Sequence, residues 1–126
     1  MRMLLSVNQR TFKQEVLEAS TPVLVHFWAP WCPLCRTIEP ILRSCQTKWR
    51  QQIKIVGINA DQSLPLASTY NLTTLPTIIL FDRGQVRYRN EGCDRRDELH
   101  KTLQSLILKS LNQRQARLPQ TDYEVS

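Results

Sequence analysis

Residues 27–36 read Phe-Trp-Ala-Pro-Trp-Cys-Pro-Leu-Cys-Arg and stand between two segments of different periodicity. The apolar run that leads into this stretch, residues 23–27, is typical of a strand buried on both faces. The apolar residues after them recur at helical spacing and include Ile38, Ile41 and Leu42. The sequence therefore predicts a strand, a tight turn and a helix that opens on a Cys-x-x-Cys pair.

The two cysteines of this pair, Cys32 and Cys35, are placed for reversible thiol chemistry. The N-terminus of a helix carries unpaired backbone N–H groups and the positive end of the helix dipole, and both favour an anion. A thiolate is such an anion, and it is the nucleophilic form of cysteine. We expect Cys32 to attack a target disulfide, and Cys35, shielded one turn further along, to resolve the mixed disulfide. The alternative is that both are incidental core cysteines.

The segment Trp-Ala-Pro-Trp-Cys-x-x-Cys, residues 28–35, resembles the active-site signature of the thioredoxin family. Pro40 inside the next helix, Leu-Pro-Thr at residues 75–77 and Gly92 follow in the order, and at roughly the distances, that thioredoxins show. The resemblance covers about residues 5–112. It implies an α/β thioredoxin fold, with a central mixed sheet flanked by helices on both faces. It also implies a thiol–disulfide oxidoreductase.

The resemblance also implies roles for residues outside the cysteine motif. Pro76 matches the proline that thioredoxins hold in the cis form facing the dithiol, which brings the backbone of Leu75 to where it can pair with an extended substrate. Gly92 matches the glycine that lets a substrate chain approach. The alternatives are a plain turn proline and a simple glycine at the end of a strand.

Where thioredoxins carry Gly-Pro between the cysteines, this chain carries Pro33 and Leu34. We expect both to lie with Trp31 on the surface that docks substrate, and Trp28 to pack beneath the motif. Proline suits the first helical position, and Leu34 supplies a backbone N–H that proline lacks. Because that donor stabilises a thiolate on Cys32, the sequence predicts a less reducing couple than that of an ordinary thioredoxin.

Two further departures from the family pattern occur at His26 and Gly57. Thioredoxins place at the first position a buried aspartate that moves protons to and from the resolving cysteine, and at the second the lysine that partners it. Histidine can do acid–base work near neutral pH, so His26 is a candidate for the same role. The alternative is a neutral, hydrogen-bonded core histidine. The joint loss is consistent, because an unpaired buried lysine would be costly.

The two remaining cysteines predict no structural disulfide. Cys45 falls on the apolar face of the active-site helix and is expected to be a buried, inert thiol. Cys93 follows Gly92, near the dithiol, and is either a regulatory thiol or an incidental surface cysteine. We expect no metal site, since the chain has no second Cys-x-x-Cys, and His26 and His100 are not at ligand spacing.

Composition indicates one globular domain, because 41% of the residues are apolar and 22% are charged. No run approaches the roughly 20 apolar residues of a membrane span. Residues 1–7 lack the apolar core of about 7–15 residues that a secretory signal needs. We therefore expect a cytoplasmic protein. The predicted thioredoxin-like domain covers residues 1–112, and residues 113–126, where the apolar pattern stops, are predicted to be a flexible tail.

The net charge of +6 comes from lysine and arginine residues spread along the chain. Basic residues are most frequent after the predicted strand that follows Pro76, at Arg83, Arg87, Arg89, Arg95 and Arg96. Nucleic-acid binding would need interleaved aromatic residues or a recognition motif, and the sequence offers neither. We interpret these residues as a solvated basic face that steers acidic protein partners.

The remaining patterns predict further elements of structure. They are a short strand at residues 4–7, a helix capped by Asn8 or Thr11, a strand at 53–60 parallel to the strand before the motif, a short helix capped by residues 61–63, a hairpin of 77–81 with 85–89, and a last helix starting at Asp94 or Asp97.

Three functions fit these observations. The first is reduction or exchange of protein disulfides by a monomer, with no bound cofactor and with electrons from a thioredoxin reductase or another thiol donor. The second is a less reducing oxidase, isomerase or redox regulator, which Pro33, Leu34 and His26 favour. The third is a binding module that keeps the fold for docking, which the intact Cys32, Cys35 and Pro76 disfavour.

Overall fold

The computed structural model of the chain describes residues 4–92 and 96–117. Five strands form one mixed sheet in the order β1-β3-β2-β4-β5. The strands are β1 (Leu5–Ser6), β2 (Val23–Trp28), β3 (Lys54–Asn59), β4 (Thr77–Asp82) and β5 (Gln85–Glu91). The helices are α1 (Pro33–Trp49), α2 (Leu64–Thr69) and α3 (Arg96–Arg117), with a π-helical turn at Lys13–Leu17 and a 3₁₀ turn at Ala60–Gln62.

Strand β2 lies at the centre of the sheet. It pairs in parallel with β3, so that Trp28 lies opposite Asn59, and antiparallel with β4, so that Phe27 lies opposite Thr77. Every residue of β2 is buried except Trp28, which is half-buried. The prediction of a strand buried on both faces is therefore confirmed.

The two faces of the sheet carry separate hydrophobic clusters. On one face Leu24 packs with Leu42 of α1 and Ile107 of α3. On the other face Val25 and Phe27 pack with residues of the π-helical turn and of β4. Because side chains alternate along a strand, the same apolar run supplies both clusters. The expected mixed α/β sheet with helices on both faces is confirmed.

Two predicted elements differ in the structure. The segment after Asn8 forms only a single π-helical turn, in which the N–H of Glu18 donates to the carbonyl of Lys13 at 2.9 Å. So short a helix has little stability of its own, and burial of Val16 holds the turn in place. At the other end of the chain, α3 continues through Arg117, past the boundary predicted at Gln113.

The strand directions bring four connections to one edge of the sheet. Strands β2, β3 and β5 end at this edge and β4 begins there: Trp28 lies opposite Asn59, and Thr77 lies between Phe27 and Glu91. The segments that follow or precede these residues therefore meet at this edge. The cysteine motif is one of these segments.

We expect Leu42→Ala to destabilise the protein by about 2–5 kcal/mol, because it removes a fully buried side chain that seats α1 on the sheet. Leu108→Ala is the matched control, because Leu108 is an exposed leucine on α3, and its cost should be within about 0.5 kcal/mol. Urea unfolding of both variants checks this. Equal losses would contradict the assigned packing.

Candidate active site

Cys32 and Cys35 form a disulfide at the start of α1, with their Cα atoms 5.3 Å apart. Cys32 is the N-cap residue, and Pro33 occupies the first helical position, as predicted. The Sγ atom of Cys32 accepts a hydrogen bond of 3.2 Å from the backbone N–H of Cys35. The sulfur of Cys32 therefore lies where a helix N-terminus stabilises negative charge.

Burial does not separate the two cysteines as the sequence predicted. Cys32 is only 3% exposed and Cys35 only 2% exposed. What distinguishes them is their position, because Cys32 precedes the helix and Cys35 lies within its first turn. The structure also shows the amide of Cys35, rather than that of Leu34, donating to the sulfur of Cys32.

Exposed side chains surround the buried disulfide. Trp31 is 64% exposed, and Pro33 and Leu34 are also exposed, so the predicted docking residues lie on the surface beside the cysteines. The indole N–H of Trp31 donates to Oδ2 of Asp61 at 2.9 Å, which ties the motif to the loop after β3. Of residues 61–63, which the sequence predicted to cap the short helix, Ser63 is the N-cap residue of α2, without a side-chain hydrogen bond. The N–H groups of the preceding 3₁₀ turn donate to the side chain of Asn59.

The loop before β4 reaches the same edge of the sheet. The Leu75–Pro76 peptide bond is cis, which confirms the isomer that the resemblance implied. Gly92 has a φ of +62°, and a Cβ atom there would lie 3.0 Å from Thr74. The N–H of Gly92 donates to the carbonyl of Pro76 at 2.8 Å. Gly92 thus allows β5 to close tightly on the proline loop.

His26 lies on the face of β2 that packs against α1, as does its neighbour Leu24 two residues earlier. It is 2% exposed, and its Nε2 atom has no hydrogen-bond partner among the described residues. Burial lowers the pKa of His26 to about 4, so the ring is neutral at pH 7. This burial agrees with a core histidine, whereas the unpartnered Nε2 differs from the hydrogen-bonded side chain expected for one.

A cavity of about 150 Å³ lies beside His26. Its lining is formed by Leu4, Ser6, His26, Trp28, Glu39 and Gly57. Gly57 is opposite His26 in the sheet, and a Cβ atom on it would lie 3.3 Å from the indole nitrogen of Trp28. The missing side chain at Gly57 therefore helps to create the cavity, and the half-buried side chain of Trp28 forms part of its wall.

Of the other two cysteines, the structure describes only Cys45. Cys45 is buried on α1, and burial raises the pKa of its thiol, which agrees with the expectation of a buried, unreactive side chain. Cys93 lies outside the described residues, as does Arg95.

Across residues 4–92 and 96–117, no helix combines the length and the apolar character needed to cross a membrane. In the same parts of the chain, no three or more histidine, cysteine, aspartate or glutamate side chains are grouped so that they could hold a metal ion.

Comparison with known proteins identifies the family. The family model described as Thioredoxin matches residues 3–105. Thioredoxin 1 of Synechococcus elongatus is 45% identical over 80 residues, covering 64% of this chain and 75% of the relative. The chloroplastic M-type thioredoxin of Chlamydomonas reinhardtii is also 45% identical over 80 residues, covering 64% of this chain and 57% of the relative. The thioredoxin of Rickettsia felis is 34% identical over 94 residues, which are 75% of this chain and 90% of the relative. With its Cys32–Cys35 pair at the start of α1, the chain belongs to the thioredoxin family and is a thiol–disulfide oxidoreductase.

Proposed function

We propose that this oxidoreductase acts on disulfides in extended segments of other proteins. The observation that carries the proposal is the disulfide at the start of α1, which is bordered by the exposed side chains of Trp31 and Leu34 and has the cis-proline loop at the same sheet edge. Buried sulfurs beside an exposed apolar surface favour a substrate that docks before it reacts. The backbone of Leu75 is the segment with which an extended substrate would pair.

Reduction of a target proceeds in two exchanges. The thiolate of Cys32 attacks one target sulfur, a bond forms between them, and the other target sulfur leaves as a thiolate. Cys35 then loses its proton and attacks Sγ of Cys32, which forms the Cys32–Cys35 bond and releases the second target sulfur. The target gains two electrons and the dithiol loses two. A thioredoxin reductase or another thiol donor then restores the dithiol.

His26 is our candidate for handling the proton of Cys35. It lies on the sheet face covered by α1, the helix whose first turn contains Cys35. A neutral imidazole has one donor and one acceptor nitrogen, and the cavity beside His26 is large enough for water to extend their reach. Since catalytic bases work best with a pKa near the operating pH, a pKa of about 4 limits His26 to a modest contribution.

The redox potential decides between a general reductant and a less reducing oxidase, isomerase or regulator. Leu34 lies in the first turn of α1, where backbone N–H groups have no helical acceptor. Because Leu34 retains an N–H that proline would lack, it favours the reduced, thiolate-bearing form. We therefore propose a couple that is less reducing than that of an ordinary thioredoxin.

The proposed setting is a reducing compartment, in which the protein acts as a monomer. We place it in the cytoplasm, where thiols are kept reduced. The relative from Chlamydomonas carries the word chloroplastic in its name, so a plastid is the alternative. Cell fractionation with an antibody against this chain would distinguish the two compartments.

The assigned roles predict opposite behaviour for two single variants. Cys35→Ser should accumulate a mixed disulfide with a disulfide-containing protein such as insulin, because Cys32 can attack but nothing resolves the intermediate. Cys32→Ser should accumulate little. Non-reducing gel electrophoresis, with Cys93→Ser as the background, measures both. Stronger trapping through Cys35 would reverse the assignment.

The wild-type couple should have a potential about 30 mV or more above the thioredoxin value of about −270 mV. Leu34→Pro removes the N–H and should lower the potential, whereas Leu34→Ala keeps it and should change the potential little. Equilibration in defined thiol buffers, again in the Cys93→Ser background, checks this. A wild-type potential at or below about −270 mV would show that the couple is an ordinary reductant.

His26 should make stability depend on pH. Between pH 6.5 and about 4 the unfolded state binds a proton at this histidine and the folded state does not, so stability falls as pH falls through that window. The lowering from 6.5 to about 4 corresponds to a loss of about 3 kcal/mol. His26→Gln should lose that much less over the same window in urea unfolding of the oxidised protein.

The same variant tests the proton-transfer role. His26→Gln should slow resolution of a mixed disulfide by about tenfold, which is below the usual range of general acid–base contributions because the pKa of His26 is far from the operating pH. Stopped-flow release of the target thiol measures the rate. An unchanged rate would leave His26 as a core residue only.

A further inference from the structure

Arg89 of β5 folds back onto the loop that precedes the cis-proline. Its Nη1 atom donates to the carbonyl of Tyr70 at 2.5 Å, and its Nη2 atom donates to the carbonyl of Asn71 at 3.0 Å. Both carbonyls lie just beyond the end of α2, outside its helical hydrogen bonding, and need partners from elsewhere in the fold. The planar guanidinium can hold two adjacent carbonyls in a fixed geometry, which a lysine cannot do.

The network extends from Arg89 towards the proline. The Nε atom of Arg89 donates to Oε2 of Glu91 at 2.6 Å, and Oε1 of Glu91 accepts from the hydroxyl of Thr73 at 3.5 Å. Glu91 lies opposite Thr77, the first residue of β4, whose hydroxyl donates to the carbonyl of Thr74 at 2.5 Å. The end of β5 thus holds the loop at several successive residues.

The loop at residues 70–76 has an irregular backbone that these contacts can hold in place. Residues 70–76 belong to no helix or strand. Asn71 has a φ of +52°, in the left-handed region that residues other than glycine seldom adopt. Thr73 and Thr74 are exposed, whereas Arg89 is half-buried over the loop. Tyr70, Leu72 and Leu75 pack against the core and Pro76 is buried, so the apolar side chains anchor the loop, and the hydrogen bonds from β5 act on its exposed backbone between those anchors.

We propose that Arg89 is a positioning residue for protein substrates: it fixes the loop so that the backbone of Leu75 is ready to pair with an extended chain. The inference rests on the proposed function, in which that backbone receives the substrate. Arg89 touches neither sulfur, so it sets the rate with protein disulfides and leaves the chemistry of the disulfide unchanged.

Arg87 provides a matched control. It lies two residues earlier on the same strand and is exposed, so Arg87→Met and Arg89→Met remove the same charge from the same strand. Any difference between the variants reports the loop contacts rather than the net charge. Arg89→Lys keeps the charge without the two-pronged geometry and should lie between wild type and Arg89→Met.

Single-turnover oxidation of the reduced proteins by insulin and by the small disulfide 5,5′-dithiobis(2-nitrobenzoate) provides the first test. With Arg89→Met, the rate constant for insulin should fall about tenfold, the scale of losing a charged hydrogen bond, and the rate constant for the small disulfide should stay within about twofold. Arg87→Met removes the same charge from the basic face, so any loss of steering is common to both variants, and its rate constant for insulin should fall clearly less than that of Arg89→Met. An equal loss on both oxidants, or no loss on insulin, would overturn the proposal.

Amide hydrogen exchange of residues 70–77 provides the second test, and it does not depend on activity. Exchange there should be faster in Arg89→Met than in Arg87→Met, while the exchange of β2 stays the same in both variants. Unchanged exchange would overturn the loop assignment even if the insulin rate fell. If wild type reduced the small disulfide but not insulin, the proposed substrate class would be wrong. Faster exchange of the loop in Arg89→Met would then still show that Arg89 fixes the loop, but not that it does so for protein substrates.

Discussion

The pairing of β2 with a parallel strand on one side and an antiparallel strand on the other is the constraint on which the site depends. Because β4 runs against β2, the beginning of β4 falls beside the end of β2. The loop that ends at Pro76 and the motif that contains Cys32 therefore share one edge, although they are far apart in the sequence. Burial of β2 on both faces fixes this register, since a slip of one residue would exchange the two cores.

The interior beside α1 has lost charge at two facing positions relative to the family pattern. His26 and Gly57 are opposite each other in the sheet, one neutral and one without a side chain. A charged pair buried there would bear a large desolvation penalty, which this chain avoids. What remains is a mostly apolar cavity, with His26 and Glu39 of α1 among the residues that line it. A proton that moves through this region would pass through neutral His26, or would enter from α1, where Glu39 lines the cavity.

Local patterns were sufficient for the individual strands and for the placement of the cysteine pair, whereas the layered α/β fold rested also on the family resemblance. The apolar run of β2 and the turn residues around Gly84 predicted a buried strand and a hairpin, because each depends on neighbours in sequence. The cis form of the Leu75–Pro76 bond came from the family resemblance alone. The bond from Trp31 to Asp61 and the contacts of Arg89 were not foreseen. Each joins residues well separated along the chain, and a polar side chain gives no local sign of a distant partner.

Among residues 4–92 and 96–117, the outer strands of the sheet are β1 and β5, and neither is well suited to pair with a further strand. β1 is only two residues long, so it offers little backbone for an incoming chain. β5 is longer, but it carries exposed Arg87, and a second copy of the strand laid against it would bring like charges together. Edge-to-edge stacking of copies is thereby discouraged. If the protein pairs with extended substrates as proposed, these outer strands favour such pairing at the proline loop over pairing between copies of the sheet.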